Sequence, residues 1–480
     1  MNWQRVRVAL TRSVGVWPLL LMFGVSLFCL WLLRPLDQTY LFNSGHDFLL
    51  LYAAAHAVRD HQNPYESAVL LHYAQLAGLR LSYLIDGSHH LNQPYVYPPL
   101  FAWLASPLTF MRPTRALFVW RIICAAGVFA GTYALTAPWR GEVNLLRTRG
   151  RRVMFAILSV MAPVTVYGLY WGNPVELVYA AMCGCVWLLC RRRKWTDVAA
   201  GALMSVSLLK PQFALPLAVL SAACFVAGDD MWTRLRHVGL GFVSACLGLL
   251  TLDLLTTGPG LLAAWPRSIL YLARMTNTQP DMPSLLGLLR GYLLRLSVRR
   301  YSLVTLAIVV VTAVAIVALY WWLRGRVGPT ALFALLSVMW CFGSPYGHAN
   351  DDILLVPGAL ALLAVIQRLG GSWLRPLALS RRMRVLVLRL ACDGLLVGLA
   401  LFSIALLYAG GVLPFLHYHA HRLPNNIAIA LAPCALLLTQ GLALGYSWAV
   451  RFASTRPQRA AGETSATPGS EPVEAASRSR

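Results

Sequence analysis

The chain has 480 residues, 58% of them hydrophobic and only 12% charged, with a mean hydropathy of +0.60. A soluble domain carries about 25% charged residues, so an ordinary soluble fold is excluded, and the absence of short alternating segments excludes a β-barrel. The net charge of +23 sits mainly at the ends of apolar runs, where it reads as topology signal and lipid headgroup contact, not as a nucleic-acid surface.

Taken in chain order, Arg5, Arg7 and Arg12 precede an apolar run at 14–33. That run is too long for a cleaved leader and lacks a small-residue cleavage site, so it predicts a first spanning helix with a cytoplasmic N-terminus. Residues 34–115 form a large extracytoplasmic loop in which five acids balance five bases. Within it, 47–59 predicts a short interfacial helix stopped by Asn63-Pro64. The apolar stretch 98–108 is about half a span and predicts an interfacial or re-entrant segment.

Charge parity orders the remaining runs. Run 116–137 goes inward to Arg140, Arg147, Arg149, Arg151 and Arg152; 153–170 goes out, and 175–190 returns to Arg191-Arg192-Arg193-Lys194. Runs 198–209 and 213–227 flank Lys210-Pro211. Read as a hairpin, they put Lys210 at the outer face and keep Arg234, Arg236 and His237 inside. Run 238–255 then goes out. A second outer loop, 256–302, carries six arginines against Asp281, which breaks the positive-inside pattern: either the order of spans differs here or these arginines meet lipid phosphates on the outer face. Runs 303–323, 329–342, 353–366, 386–409 and 427–450 complete about twelve spans with both ends cytoplasmic. The expectation is an all-α polytopic membrane protein: a transmembrane domain over 1–453 and a disordered cytoplasmic tail over 454–480.

All ten cysteines fall inside apolar segments, so no disulfide framework is expected. Cys183-Gly184-Cys185 has no partner at zinc-ligand spacing, and the alternation of His417, His419 and His421 reads as a polar loop. No metal and no cofactor are predicted. The same parity gathers Asp47, Tyr97, Asn173, Glu176, Lys210, His348 and the Asp351-Asp352 pair at the outer face. Polar groups near a membrane are costly and mark a site or pathway. Each also has a structural reading: Asp47 as a helix N-cap, Lys210 as a snorkelling residue, Tyr97-Pro98-Pro99 as a rigid start to a helix, and Glu176 as a charge in a first helical turn.

Several of these residues fall in short phrases: Gly45-His46-Asp47-Phe48, Asn63-Pro64-Tyr65, Tyr97-Pro98-Pro99-Leu100, Gly172-Asn173, Leu209-Lys210-Pro211 and Ser344-Pro345-Tyr346-Gly347-His348. Their order and spacing resemble glycosyltransferase family 87, C-type integral-membrane enzymes that take sugars from polyprenyl phosphates. The best-known members are envelope mannosyltransferases. The chain departs from the family's usual Gly-Gln at Gly172-Asn173, and its histidine loop continues into Ala349-Asn350-Asp351-Asp352.

The resemblance implies a C-type architecture and an enzyme of the bacterial plasma membrane working on the extracytoplasmic side. The donor would be a polyprenyl-phosphate sugar, with mannose favoured, and the acceptor an envelope glycolipid or glycan. Asp47 would be the general base; Lys210, His348 and Arg121 would hold the donor phosphate; Tyr97, Asn173 and His46 would bind sugar or acceptor. One prominent acid favours an inverting transfer. The alternative class is a lipid-linked oligosaccharide flippase or transporter, which would carry charges through several helix centres. The apolar spans here read as nearly charge-free.

Overall fold

The computed structural model describes residues 45–77, 94–140, 143, 146–226, 230–275, 285, 298–344, 353–358, 360, 438–439 and 442. The expected spans at 14–33 and 386–409, the tail, His348, the Asp351-Asp352 pair and the alternating histidines lie outside these residues, as do half of 353–366 and all but three residues of 427–450.

Among the described residues the architecture is helical. Helix α1, His46–Arg59, follows Gly45, whose φ of 87° turns the chain sharply into the first turn. Its LLLYAAAHAV run is buried almost all round. The helix ends at Asp60, and His61 takes a left-handed conformation with φ 57°. A helix is therefore present over the stretch 47–59 where one was expected. Asn63 makes a local turn by accepting from the Tyr65 amide, and α2, Ser67–Leu76, follows it.

The apolar half-span becomes α3, Pro99–Ala105, prolonged by a 3₁₀ segment, Ser106–Phe110. Both prolines of Tyr97-Pro98-Pro99 favour this start, because neither has an amide that would be left unbonded in the first turn. Helix α4, Pro113–Trp139, is a full apolar span. The run expected as one span over 153–170 is instead two helices, α5, Arg149–Val160, and α6, Pro163–Trp171, bent by 51°. Pro163 explains the break: it removes an amide and holds Ala162 extended, at ψ 136°.

Helices α7, Val175–Leu189, and α8, Lys194–Met204, are joined by a tight turn containing Arg192 at φ 52°. A 3₁₀ segment, Ser205–Leu209, leads to Lys210 and then to α9, Pro211–Phe225. Helix α10, Met231–Thr256, starts earlier than the run 238–255 and takes in Arg234, Arg236 and His237. Helices α11, Pro259–Met275, α12, Val298–Leu323, and α13, Pro329–Gly343, complete the described set.

Three described helices are long and apolar enough to cross a membrane: α4, α10 and Leu303–Leu323 of α12; the bent α5–α6 pair makes a fourth if it counts as one span. Helices α7, α9 and α13 have 15 residues each. At 1.5 Å per residue they reach about 22 Å, short of a hydrocarbon core of about 30 Å.

Arg234 determines which helix ends lie together. Its Nε and Nη2 donate to Asp197 at 2.9 and 2.8 Å, Nη1 donates to the Phe225 carbonyl at 3.2 Å, and Nη2 donates to the Leu189 carbonyl at 2.7 Å. The C-termini of α7 and α9 and the N-termini of α8 and α10 therefore meet at one end of the bundle. Lys210, at the tip between α8 and α9, lies at the other end, as the hairpin reading requires. Helices α8 and α10 touch backbone to backbone. A Cβ on Gly201 would sit 1.9 Å from the Val238 carbonyl oxygen, and one on Gly241 equally close to that of Val198. Small residues are what permit such an approach between membrane helices.

Two cores result. The larger joins α4, α5 and α7–α10 with α12 and α13. The smaller packs α1, α2 and α3 against the first half of α4.

Candidate functional site

The site forms where the first turn of α1 meets the turn between α6 and α7. Two left-handed glycines make this contact possible. Gly172, at φ 70°, ends α6, and a Cβ there would lie 2.5 Å from the Phe48 Cβ. A Cβ on Gly45 would lie 2.6 Å from Leu117 Cδ2. Phe48 is fully buried and its ring meets Trp120 at 5.7 Å between centroids.

The end of α6 leaves carbonyls without helical partners, and α4 supplies the donors. Trp120 Nε1 donates to the Gly172 carbonyl at 2.9 Å. Arg121 donates through Nε to Leu169 at 2.9 Å and through Nη2 to Tyr170 at 3.1 Å. Arg121, expected at the donor phosphate, thus spends two of its donors holding this turn.

Asn173 is 3% exposed. Its Oδ1 accepts from the Val175 amide at 3.1 Å, in the first turn of α7. Its Nδ2 donates to Asp47 Oδ2 at 2.6 Å. Asp47 is not the N-cap of α1, since that position is Gly45; it sits in the first turn. Its side chain is 27% exposed, against 7% for the neighbouring His46, whose Nδ1 lies 3.9 Å from Asp47 Oδ1. The His46 ring stands edge-on to Trp171, with centroids 6.2 Å apart. A carboxylate oriented through one oxygen and part-exposed to solvent can take a proton from a bound hydroxyl.

Lys210 is 6% exposed, with its backbone in a non-helical conformation, φ −137° and ψ 66°, ahead of Pro211. Its carbonyl accepts from Ala214 in the first turn of α9. It shares with Asn173 the end of the bundle opposite Arg234. Glu176, buried at 1%, occupies the first turn of α7 beneath Asn173, in the location its capping reading gave it. Tyr97 reaches the site through a run of rings: Tyr97 to Phe101 at 5.6 Å, Phe101 to Trp120 at 6.0 Å, and Trp120 to the Gly172 carbonyl.

Beside the site, α1 carries a second polar face. Tyr73 donates to Asp60 Oδ2 at 2.8 Å, and its ring stacks on His56. Burial holds the His56 imidazole below its usual value, assisted by the Arg59 charge. Burial pushes the Tyr52 phenol up, and the Tyr95 phenol well up. Among the described residues no group of three His, Cys, Asp or Glu side chains converges as a metal site would require.

Sequence reading missed Asp253. It lies in the last turn of α10, 3% exposed, inside a run read as nearly charge-free. A carboxylate within a spanning segment was the available signal. Trp120 and Trp171, which carry the turn, had no sequence signal beyond aromaticity.

The model of glycosyltransferase family 87 matches residues 95–345, more than half of the chain. The stretch includes Tyr97, Arg121, Asn173 and Lys210; Asp47 lies before it but is bonded to Asn173 within it. No curated protein and no solved structure matches the chain. The transporter alternative has no support in this match, whereas an apolar helical bundle and an oriented carboxylate agree with it. The protein is a membrane glycosyltransferase, and the chain belongs to glycosyltransferase family 87.

Proposed function

We propose that the enzyme moves a sugar, mannose in the first instance, from a polyprenyl-phosphate donor to a glycolipid or glycan acceptor of the bacterial envelope. The transfer takes place at the extracytoplasmic face of the plasma membrane. Asp47 is the general base. The acceptor hydroxyl oxygen attacks the anomeric carbon, its proton passes to Asp47, and the carbon–oxygen bond to the phosphate breaks with its electron pair leaving on the lipid phosphate. One base and one displacement give inversion at the anomeric carbon.

The observation that carries this reading is the Asp47 carboxylate, held at Oδ2 by Asn173 and part-exposed at the end of the bundle where Lys210 also lies. Lys210 supplies positive charge for the departing phosphate, since a cation aimed at developing charge lowers the barrier. Arg121 and His348 assist in the same role. Tyr97, Asn173 and His46 orient sugar or acceptor hydroxyls. The lipid donor fits a chain whose sequence has no Gly-rich phosphate loop or nucleotide fingerprint.

The test is turnover of purified protein with polyprenyl-phosphate mannose. Asp47→Asn keeps the shape of the side chain and removes the basic lone pair. Transfer should fall by roughly 10²–10⁴-fold while donor still binds. Wild-type turnover in this variant would end the assignment of the base. An NMR coupling constant at the new anomeric centre reports inversion or retention.

A further inference from the structure

The segment Tyr95-Val96-Tyr97-Pro98 is a strap of non-helical backbone that leads into α3. Each of its four carbonyls accepts from a side chain. Ser268 Oγ donates to Tyr95 at 2.5 Å and Trp265 Nε1 to Val96 at 2.8 Å, both from α11. Tyr65 Oη donates to Tyr97 at 2.7 Å, and Tyr95 Oη to Pro98 at 3.2 Å. The Pro98 carbonyl also takes the Phe101 amide at 3.0 Å as α3 begins.

The three long-range donors come from two places in the chain. Tyr65 belongs to the Asn63-Pro64-Tyr65 phrase, to which the transfer step assigns no role. Asn63 Oδ1 accepts from the Tyr65 amide at 3.0 Å, and the Tyr65 ring meets the Tyr95 ring at 5.7 Å between centroids. The hydroxyl is thereby aimed at the strap, and this phrase is joined to Tyr97-Pro98-Pro99-Leu100. Trp265 and Ser268 are three residues apart in α11 and so present both donors on one face. Pro266 and Arg267 between them are exposed. These two bonds span 169 and 173 positions of sequence. A plain connection into α3 could leave its carbonyls to water. Three side chains brought in from separate segments make sense where the placement of the strap itself matters.

We propose that Tyr65, Trp265 and Ser268 are positioning residues for glycosyl transfer: by clasping the carbonyls of Tyr95, Val96 and Tyr97 they set the Tyr97 ring against the bound sugar. None of the three touches substrate; they act through the strap. The Tyr97 ring meets Phe101 at 5.6 Å, and Phe101 meets Trp120, whose indole holds the Gly172 carbonyl beside Asn173. The strap and the Asp47–Asn173 pair are thus parts of one packed unit. The kinetic part of the inference rests on the transferase reading above; the structural part rests on the hydrogen bonds alone.

The experiment uses the full-length protein in detergent and removes donors only. Tyr65→Phe and Trp265→Phe lose the hydroxyl and the N–H but keep an aromatic ring, and Ser268→Ala loses its hydroxyl. These three, their triple combination, Tyr97→Leu, and the triple combination in the Tyr97→Leu background are compared. Hydrogen exchange of the 95–105 peptide gives a readout that does not need turnover. The triple variant should lower kcat/KM by about tenfold or more and deprotect that peptide. The loss should fall on kcat more than on KM for the donor, because a misplaced ring costs more in the transition state than in the bound state. In the Tyr97→Leu background the triple change should lose most of its effect, because both act through one ring.

Wild-type kcat/KM in the triple variant would overturn the proposal, as would a loss confined to KM or one that is equally large in the Tyr97→Leu background. Should the triple variant not fold, Tyr65→Phe decides: it should be about threefold slower with the 95–105 peptide less protected, and wild-type behaviour in both rejects the clasp. If Asp47→Asn keeps full turnover while the exchange pattern follows these expectations, the assignment of the base fails and the clasp stands.

Discussion

Asn173 can adopt only one useful orientation. Its Oδ1 is taken by the Val175 amide, so its NH₂ faces Asp47, and the chemistry of one side chain fixes the placement of another 126 residues away. Asn173→Ala removes the bond without touching the base. Transfer should fall about tenfold to a hundredfold through misplacement, less than for Asp47→Asn, with donor affinity little changed. Turnover and donor binding of the purified variant separate these effects; equal losses for both variants would mean that Asn173 does more than orient. The sequence allowed Asp47 to be an N-cap. The structure decides otherwise because Gly45, at φ 87°, takes the cap position and moves Asp47 into the first turn, from which its side chain reaches across to Asn173.

Among the helices, the Asp197–Arg234 pair holds the most consequence for stability. Both side chains are almost fully buried, and the guanidinium forms a two-pronged contact with the carboxylate as well as taking the last carbonyls of α7 and α9. Arg234→Ala leaves a buried carboxylate without its cation and should cost roughly 3–5 kcal/mol. Asp197→Leu combined with Arg234→Met removes both charges, and should recover most of that loss. Thermal unfolding in detergent measures both; a double variant as unstable as the single one would show that the two helix-end carbonyls, not the ion pair, dominate. Sequence parity placed Arg234 on the inside and treated it as topology alone. That it gathers four helix ends could not be read, because Asp197 and Leu189 lie 37 and 45 residues away in sequence. The bend at Pro163 was within reach, since a proline inside a run of helical length argues for a break.

For the whole molecule, the arrangement predicts two chemically distinct ends. Asn173 and Lys210 are too buried to report on sidedness, so exposed neighbours must serve. Gln62, beyond α1, and Arg192, between α7 and α8, are both exposed and belong to opposite ends. In a Cys190→Ser background, which removes an exposed native thiol, Gln62→Cys should react with a membrane-impermeant thiol reagent in intact cells. Arg192→Cys should react only after permeabilisation. The reverse pattern would turn the enzyme over in the membrane and put its working face in the cytoplasm.

Composition alone settled the solvent: 12% charged residues over 480 positions cannot make a soluble surface. Apolar run length settled α4, α10 and α12, because helix formation and burial in lipid are local properties of such runs, and the placement of charge settled the break at Lys210-Pro211. The phrases from Gly45-His46-Asp47-Phe48 to Ser344-Pro345-Tyr346-Gly347-His348 carried the resemblance to the family. What only the tertiary structure decided is how those phrases meet. Asp47 finds Asn173 because two left-handed glycines let α1 and the α6–α7 turn approach within contact of Phe48 and Leu117. Such contacts join residues more than a hundred positions apart, and no periodicity or local preference in the chain records them.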